Sequence, residues 1–519
     1  MRRLKLCRTA FATLLVAVII CKVIKGLYHS FKPAEGTTLG IGEETIGKSV
    51  PRGQSFFYMS PESQRLGSFE TWRPRNLVHR ITRPVMDFQD SDNIHLAVHT
   101  SLQSMWQNIP MQLLTNLQLF PSFSIYGNIP DSIGGVEVID VLDPIDERLR
   151  DQIADFEPYV ILKSIRNSHV IIPPDQVSMP GVSKLAKFQM LPLLLQMYRE
   201  HPNREWYVII DDKATIFADN LRNYLGTLDH RKPYYLGRPV KGREFIFASI
   251  SSGIILSHGL MQQVFAREGI EIQIYRDYTK KAKYECCGDY VLAMFLDNFD
   301  IHLDLDRSGQ FFEADALPNV KVRAHNWCSP IFTLGNQRLR DMELTAEYIC
   351  IKPAVIHSDL YLDFIKPYLT ADIQQNWDNG ASDMEFGPHH DRSTEAHKSP
   401  SDCRRACESV QQCTMFRYDT YTQYCGLGIS SVALGGPILQ YKESSERAMC
   451  EKFGTQCENR KPNQPMTSEW LVDRIRDMRQ SLSCDPLYLD TLSEGTEFGS
   501  LDQVEGWWYR AMQVSEHVV

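Results

Sequence analysis

Three consecutive residues, Asp211-Asp212-Lys213, carry the most pointed chemistry in the chain. They end the run Trp206-Tyr207-Val208-Ile209-Ile210, whose aromatic and β-branched residues predict a buried strand. In open α/β sheets, ligands bind in the crevice at the carboxyl ends of such strands. Two carboxylates there suit a divalent cation, or simply the formation of a turn after the strand. Lys213 pulls the other way, because a protonated ammonium cannot ligate a cation and repels one. It suits an anion instead, as a point charge beside a phosphate. A third carboxylate, Asp289 in Cys287-Gly288-Asp289, is either a base that takes a proton or a solvated helix N-cap.

The elements that must position these groups follow from periodicity. Ile94 to Val98, Phe123 to Tyr126 and Val136 to Ile139 read as short strands. Ser101 to Leu117 has apolar residues at helical spacing, with Pro110 as a break. Ser183 is placed to cap a helix running through Arg199, with Leu185, Phe188, Leu191, Leu195 and Tyr198 on one face. Alternating strands and helices predict an α/β fold built on a mainly parallel sheet flanked by helices. This domain is expected over 91–376. A polar stem is expected over 29–90, a linker over 377–400, a small cysteine unit over 401–430 and a C-terminal extension over 431–519. The extension is expected to contain a helix at 470–482.

The chain has 519 residues, 43% of them hydrophobic, and a formal net charge of −9. That composition is globular, and it argues against a general nucleic-acid binder. Arg2, Arg3, Lys5 and Arg8 precede an uncharged run from Thr9 to Cys21. This pattern predicts a signal-anchor helix within 1–28, with everything beyond Tyr28 in the lumen; a cleaved signal peptide is the alternative. Of eleven cysteines beyond that segment, seven fall between Cys403 and Cys484, which suits disulfides in an oxidising compartment. Cys403, Cys407, Cys413 and Cys425 allow three pairings, with zinc as the alternative. Cys403 and Cys407 are expected on one face of a helix capped by Ser401 or Asp402. Cys286 and Cys287 are not expected to bridge each other; Cys328 or Cys350 is the expected partner.

The order of motifs resembles glycosyltransferase family 31, the Fringe and core 1 β1,3-galactosyltransferase group, most closely its fungal-type members. The motifs are Asp140-Val141-Leu142-Asp143, Lys187 to Pro192, Trp206 to Leu225, Pro233-Tyr234-Tyr235-Leu236-Gly237, Ser252 to Ser257, Cys287-Gly288-Asp289 and Trp327 to Phe332. Residues 401–427 resemble the PAN/apple-like cysteine module that such members often carry. The resemblance implies a GT-A, Rossmann-like fold, a UDP-sugar donor, a Mn²⁺ ion and inversion at the sugar carbon. It implies Asp289 as the base, and Asp211 and Asp212 at the metal and diphosphate. It further implies Lys213, Lys187, Thr100 and Gly253 as contacts to the nucleotide-sugar. The implied protein is a single-pass type II membrane enzyme of the Golgi or endoplasmic reticulum. It would transfer a hexose, galactose or a relative, in β1,3 linkage to a glycan or glycoprotein.

The departures from the family pattern fall on ligand contacts. Lys213 stands where the family has its main metal-ligating acid, and Gly127-Asn128 stands where it has Ser-Asp. The glycine-rich acceptor loop is reduced to Ile250-Ser251-Ser252-Gly253, and Gly335-Asn336 replaces a metal-binding His. His325 is a substitute ligand only if it reaches the site. A degenerate family member, acting as chaperone, partner or glycan binder, is therefore the alternative expectation.

Overall fold

A computed structural model describes residues 93–167, 181–309, 311–388, 395–438, 465–482 and 484. The expected anchor (1–28) and the whole of the expected stem (29–90) lie outside the described residues. Among the described residues no helix is long and apolar enough to cross a membrane.

Ten strands organise the first part: β1 Ile94–His99, β2 Phe123–Gly127, β3 Asp131–Ile133, β4 Val136–Asp140, β5 Trp206–Asp211, β6 Thr215–Ile216, β7 Tyr235–Gly237, β8 Pro239–Lys241, β9 Ile246–Ala248 and β10 Ile254–Ser257. Seven form one sheet in the order β3-β4-β2-β1-β5-β10-β7. The expectation of a mainly parallel sheet needs correcting. The β4-β2, β2-β1 and β1-β5 pairings are parallel, but β3-β4, β5-β10 and β10-β7 are antiparallel. The fold is mixed α/β with a parallel centre.

The centre is where burial is most complete. Every residue of β1 is buried, as are Trp206 to Ile210 of β5. Strands with both faces covered lose the alternation of a half-exposed strand and read as continuous apolar runs. Helix α1 (Met105–Leu114) lies against the end of β5, as hydrogen bonds from Gln112 Nε2 to the carbonyls of Asp212 and Ala214 show. Helix α2 (Ala186–Glu200) covers the other face of β1, β2 and β5: the Tyr126 hydroxyl reaches Glu200, and His95 stacks on His201 at the end of α2. Helix α3 (Gly288–Asp297) packs beside α2.

Two local expectations fail. Pro110 sits inside α1 rather than breaking it. Ser183 lies in the short 3₁₀ turn Val182–Leu185 that leads into α2, and Leu185 occupies the cap position with no side-chain cap bond.

The C-terminal part is larger than a four-cysteine unit. A five-stranded antiparallel sheet has the order Gln374–Gln375, Met466–Trp470, Cys413–Asp419, Tyr424–Ile429 and Met384–Phe386. The stretch expected as a linker therefore carries the edge strand Met384–Phe386, and the expected extension supplies the interior strand Met466–Trp470, next to Cys413–Asp419. The expected terminal helix is present as Val472–Gln480. Helix α4 (Pro400–Ser409) is capped by Ser399, not by Ser401 or Asp402: Ser399 Oγ accepts from Asp402 N at 3.1 Å. Its cysteines pair as Cys403–Cys425 and Cys407–Cys413, clamping α4 to the sheet.

This sheet is joined to the α/β part by the ladder between Val322–Arg323 and Ser431–Val432, by Cys328–Cys484, and by Lys321 and Arg323 on Asp383. The expectation for Cys286 and Cys287 is also corrected. They pair with each other, Cys328 is taken by Cys484, and Cys350 is unpaired among the described residues.

Candidate functional site

The parallel register of β1 and β5 sets the site. His99 and Asp211 are direct partners at the carboxyl ends of their strands. Strand β10 runs antiparallel to β5 from Ile254 opposite Ile209, so the preceding turn Ile250–Ser252 and Gly253 arrive at the same edge. Gly253 has φ +86°, a conformation that costs a side-chain-bearing residue strain. The segment after Leu334 closes the edge, with Gln337 N donating to Lys213 O at 2.8 Å. Gly335 packs so tightly that a Cβ there would stand 2.1 Å from Ser251 O. A glycine at this position is thus demanded by backbone contact.

The two carboxylates differ sharply in surroundings. Asp212 is 2% exposed and saturated. Its Oδ2 accepts from Thr100 Oγ1 at 2.5 Å and Ser104 Oγ at 2.6 Å, and its Oδ1 accepts from Asn108 Nδ2 at 2.9 Å. Asp212 is thereby tied to the start of α1. Asp211 is half-buried, and its one hydrogen bond from the backbone comes from Lys213 N at 3.1 Å. Burial, reinforced by the neighbouring charge of Asp212, pushes its carboxyl up to about 7. The Lys213 side chain is exposed, and among the described residues no carboxylate lies within ion-pair distance of its Nζ.

Asp289, in the first turn of α3, is buried rather than a solvated cap; Cys287 holds the cap position. Its Oδ2 accepts from Ile250 N at 3.2 Å and its Oδ1 from Tyr290 N at 3.1 Å. Burial raises its carboxyl above the ordinary range, with the backbone donors opposing. The bond to Ile250 brings Asp289 to the loop that ends at Gly253.

Lys187 is 9% exposed and engaged elsewhere. Its Nζ donates to Lys283 O at 2.8 Å and pairs with Asp155 at 2.9 Å. That pairing holds the Asp155 carboxyl below its usual value. Thr100 reaches Asp212 rather than open space. The electrostatic neighbours of His325 are Arg323, His357, Asp383 and Glu313, and neither Asp211 nor Asp289 is among them.

The structure therefore brings together Asp211, Lys213, Gly253 and Asp289, with Thr100 and Asp212 behind them. Sequence reasoning missed His99, which ends a strand whose other polar residue is His95 and is 9% exposed. Its Nε2 sits 3.0 Å from Gln189 Oε1 of α2. Its ring is held neutral by burial, which outweighs Gln189, Asp212 and Asp289. A polar residue interrupting a buried strand at its carboxyl end was the available signal.

The donor set does not fit Mn²⁺. Both oxygens of Asp212 are occupied by neutral donors, and an ammonium stands in the third position. Among the described residues no group of three or more His, Cys, Asp or Glu is arranged to hold a metal ion. No protein-family model and no curated protein matches this chain.

Proposed function

We propose that the chain is an inverting hexosyltransferase of the family 31 kind, using a UDP-sugar and acting on a glycan or glycoprotein from a Golgi or endoplasmic reticulum membrane. The observation that carries this reading is an ammonium with no acidic partner among the described residues and a buried carboxylate at the end of the parallel β1-β5 pair, on Lys213 and Asp289. Lys213 meets the diphosphate as a point charge, where the family would use a cation. Asp289 takes the acceptor hydroxyl proton as that oxygen attacks the anomeric carbon. The bond from that carbon to the diphosphate oxygen breaks, and its electron pair leaves on UDP. A carboxyl raised by burial is better matched to that task near neutral pH than an exposed one. Asp211 accepts from the Lys213 backbone N–H and so fixes the turn that carries the lysine, and Asp212 anchors that turn to α1. The PAN/apple-like part is read as a glycan- or protein-binding appendage.

A second reading, a degenerate relative serving as chaperone or partner, is favoured by the saturation of Asp212. Calorimetry of UDP and UDP-galactose with the full chain, with and without Mn²⁺, separates the two. Binding that ignores Mn²⁺ and weakens roughly tenfold or more in Lys213→Ala is the expected result. Absence of binding in both conditions refutes the transferase reading in favour of the second.

A further inference from the structure

His99 and Gln189 form a buried pair whose hydrogen-bonding capacity is only half used. Gln189 is 1% exposed and His99 is 9% exposed. The 3.0 Å contact joins His99 Nε2 to Gln189 Oε1, and an amide oxygen can only accept, so Nε2 carries the proton. In the neutral ring, Nδ1 then presents a bare lone pair. Neither His99 Nδ1 nor Gln189 Nε2 has a partner. Asn128, fully buried just beyond β2, repeats the pattern: its Oδ1 accepts from Leu102 N at 3.0 Å while its Nδ2 is unpartnered.

These atoms share one edge. His99 is in register with Asp211 on one side and Tyr126 on the other. Strand alternation puts Asp211 on the face of Tyr207, whose hydroxyl reaches His201 O at the end of α2. That is the face Gln189 covers. Buried polar groups left without partners are rare in folded proteins, and where several gather at a strand-end crevice they point to a ligand.

We propose that the His99–Gln189 pair, supported by Asn128, reads the hydrogen-bonding edge of the ligand bound at Asp211 and Lys213. His99 Nδ1 accepts from a ligand O–H or N–H, and Gln189 Nε2 donates to an adjacent ligand oxygen. A donor next to an acceptor is the chemistry of a vicinal sugar diol and equally of a pyrimidine imide. Gln189 acts twice, as a direct contact and by fixing the histidine tautomer. The proposal rests on the nucleotide-sugar reading above, and its test separates the two.

The test uses the full chain with ¹⁵N-labelled histidine, titrated with UDP and then UDP-galactose, and calorimetry on Gln189→Met, which keeps the side-chain volume and loses both polar atoms. Before ligand, His99 should show a protonated Nε2 and a bare Nδ1. A shift of Nδ1 on UDP assigns the contact to the nucleotide; a shift only on UDP-galactose assigns it to the hexose. In either case Gln189→Met should weaken the same ligand roughly tenfold. Wild-type binding with Nδ1 unmoved, and affinity unchanged in a Gln189→Met chain that retains its circular dichroism, overturns the proposal alone. No binding of either ligand by the wild type overturns it together with the nucleotide-sugar reading.

Discussion

Asp211 and Asp212 are neighbours in sequence with opposite duties, and substitution should separate them. Asp212→Ala removes a buried carboxylate that accepts from Thr100, Ser104 and Asn108. Hydrogen bonds to a charged acceptor are worth about 1.5–3 kcal/mol each, and donors left buried without a partner cost about 1–3 kcal/mol. Some of this is recovered, since Ser104 Oγ already lies 3.4 Å from Ser101 O and 3.5 Å from Thr100 Oγ1. Because the three bonds share one acceptor they are not additive, and the net loss should be on the order of 4 kcal/mol. Asp211→Asn keeps an oxygen for Lys213 N and removes the repulsion from Asp212, so it should change stability by less than about 1 kcal/mol. Urea denaturation of both variants, followed by tryptophan fluorescence and circular dichroism, gives the comparison directly. The reasoning is refuted if Asp212→Ala costs under about 1 kcal/mol, or if Asp211→Asn costs as much as Asp212→Ala.

Three further outcomes follow. His95 is buried against Ser122 and stacked on His201; burial first, then His201 and Arg204, lowers its ring to about 3 from 6.5. Between those values the unfolded chain takes up a proton that the folded chain refuses, so stability is full above pH 6.5 and falls as pH drops toward 3. About 2 kcal/mol should be lost between pH 6.5 and about pH 5, and urea midpoints of His95→Phe should show a shallower decline over that range. Cys328–Cys484 closes a sequence separation of 156 residues, so Cys328→Ser and Cys484→Ser should each lose about 5 kcal/mol in denaturant melts; unequal losses would argue against this pairing. Gly253→Ala should cost about 1–3 kcal/mol through its φ of +86° and a Cβ 3.3 Å from Thr333 Cγ2, and an unchanged urea midpoint would contradict the backbone geometry.

Much of the scaffold was legible because its strands are buried on both faces. Trp206 to Ile210 announces itself as an uninterrupted apolar run and Ile94 to Val98 as one broken only by His95, and the observed strands extend each by one residue, Asp211 and His99. The antiparallel partners β7 and β10 were harder to read, because strand direction leaves no trace in a short apolar segment. The C-terminal sheet was read too small for a related reason. Its strand Met466–Trp470 lies 47 residues beyond the end of Cys413–Asp419, and its edge strand Met384–Phe386 precedes the cysteines, so only folding brings them together.

By itself the amino-acid order determined that a buried strand ends in Asp211-Asp212-Lys213 and that a cysteine-paired unit follows an α/β region, since burial patterning and residue chemistry are local properties. Only the tertiary structure decided which carboxylate is held by α1, that Lys213 has no acidic partner among the described residues, which cysteines pair, and that His99 meets Gln189 across 90 residues of chain. Those outcomes depend on register and on which helix crosses which strand end. Register is set by the packing of the whole sheet, and no single segment encodes it.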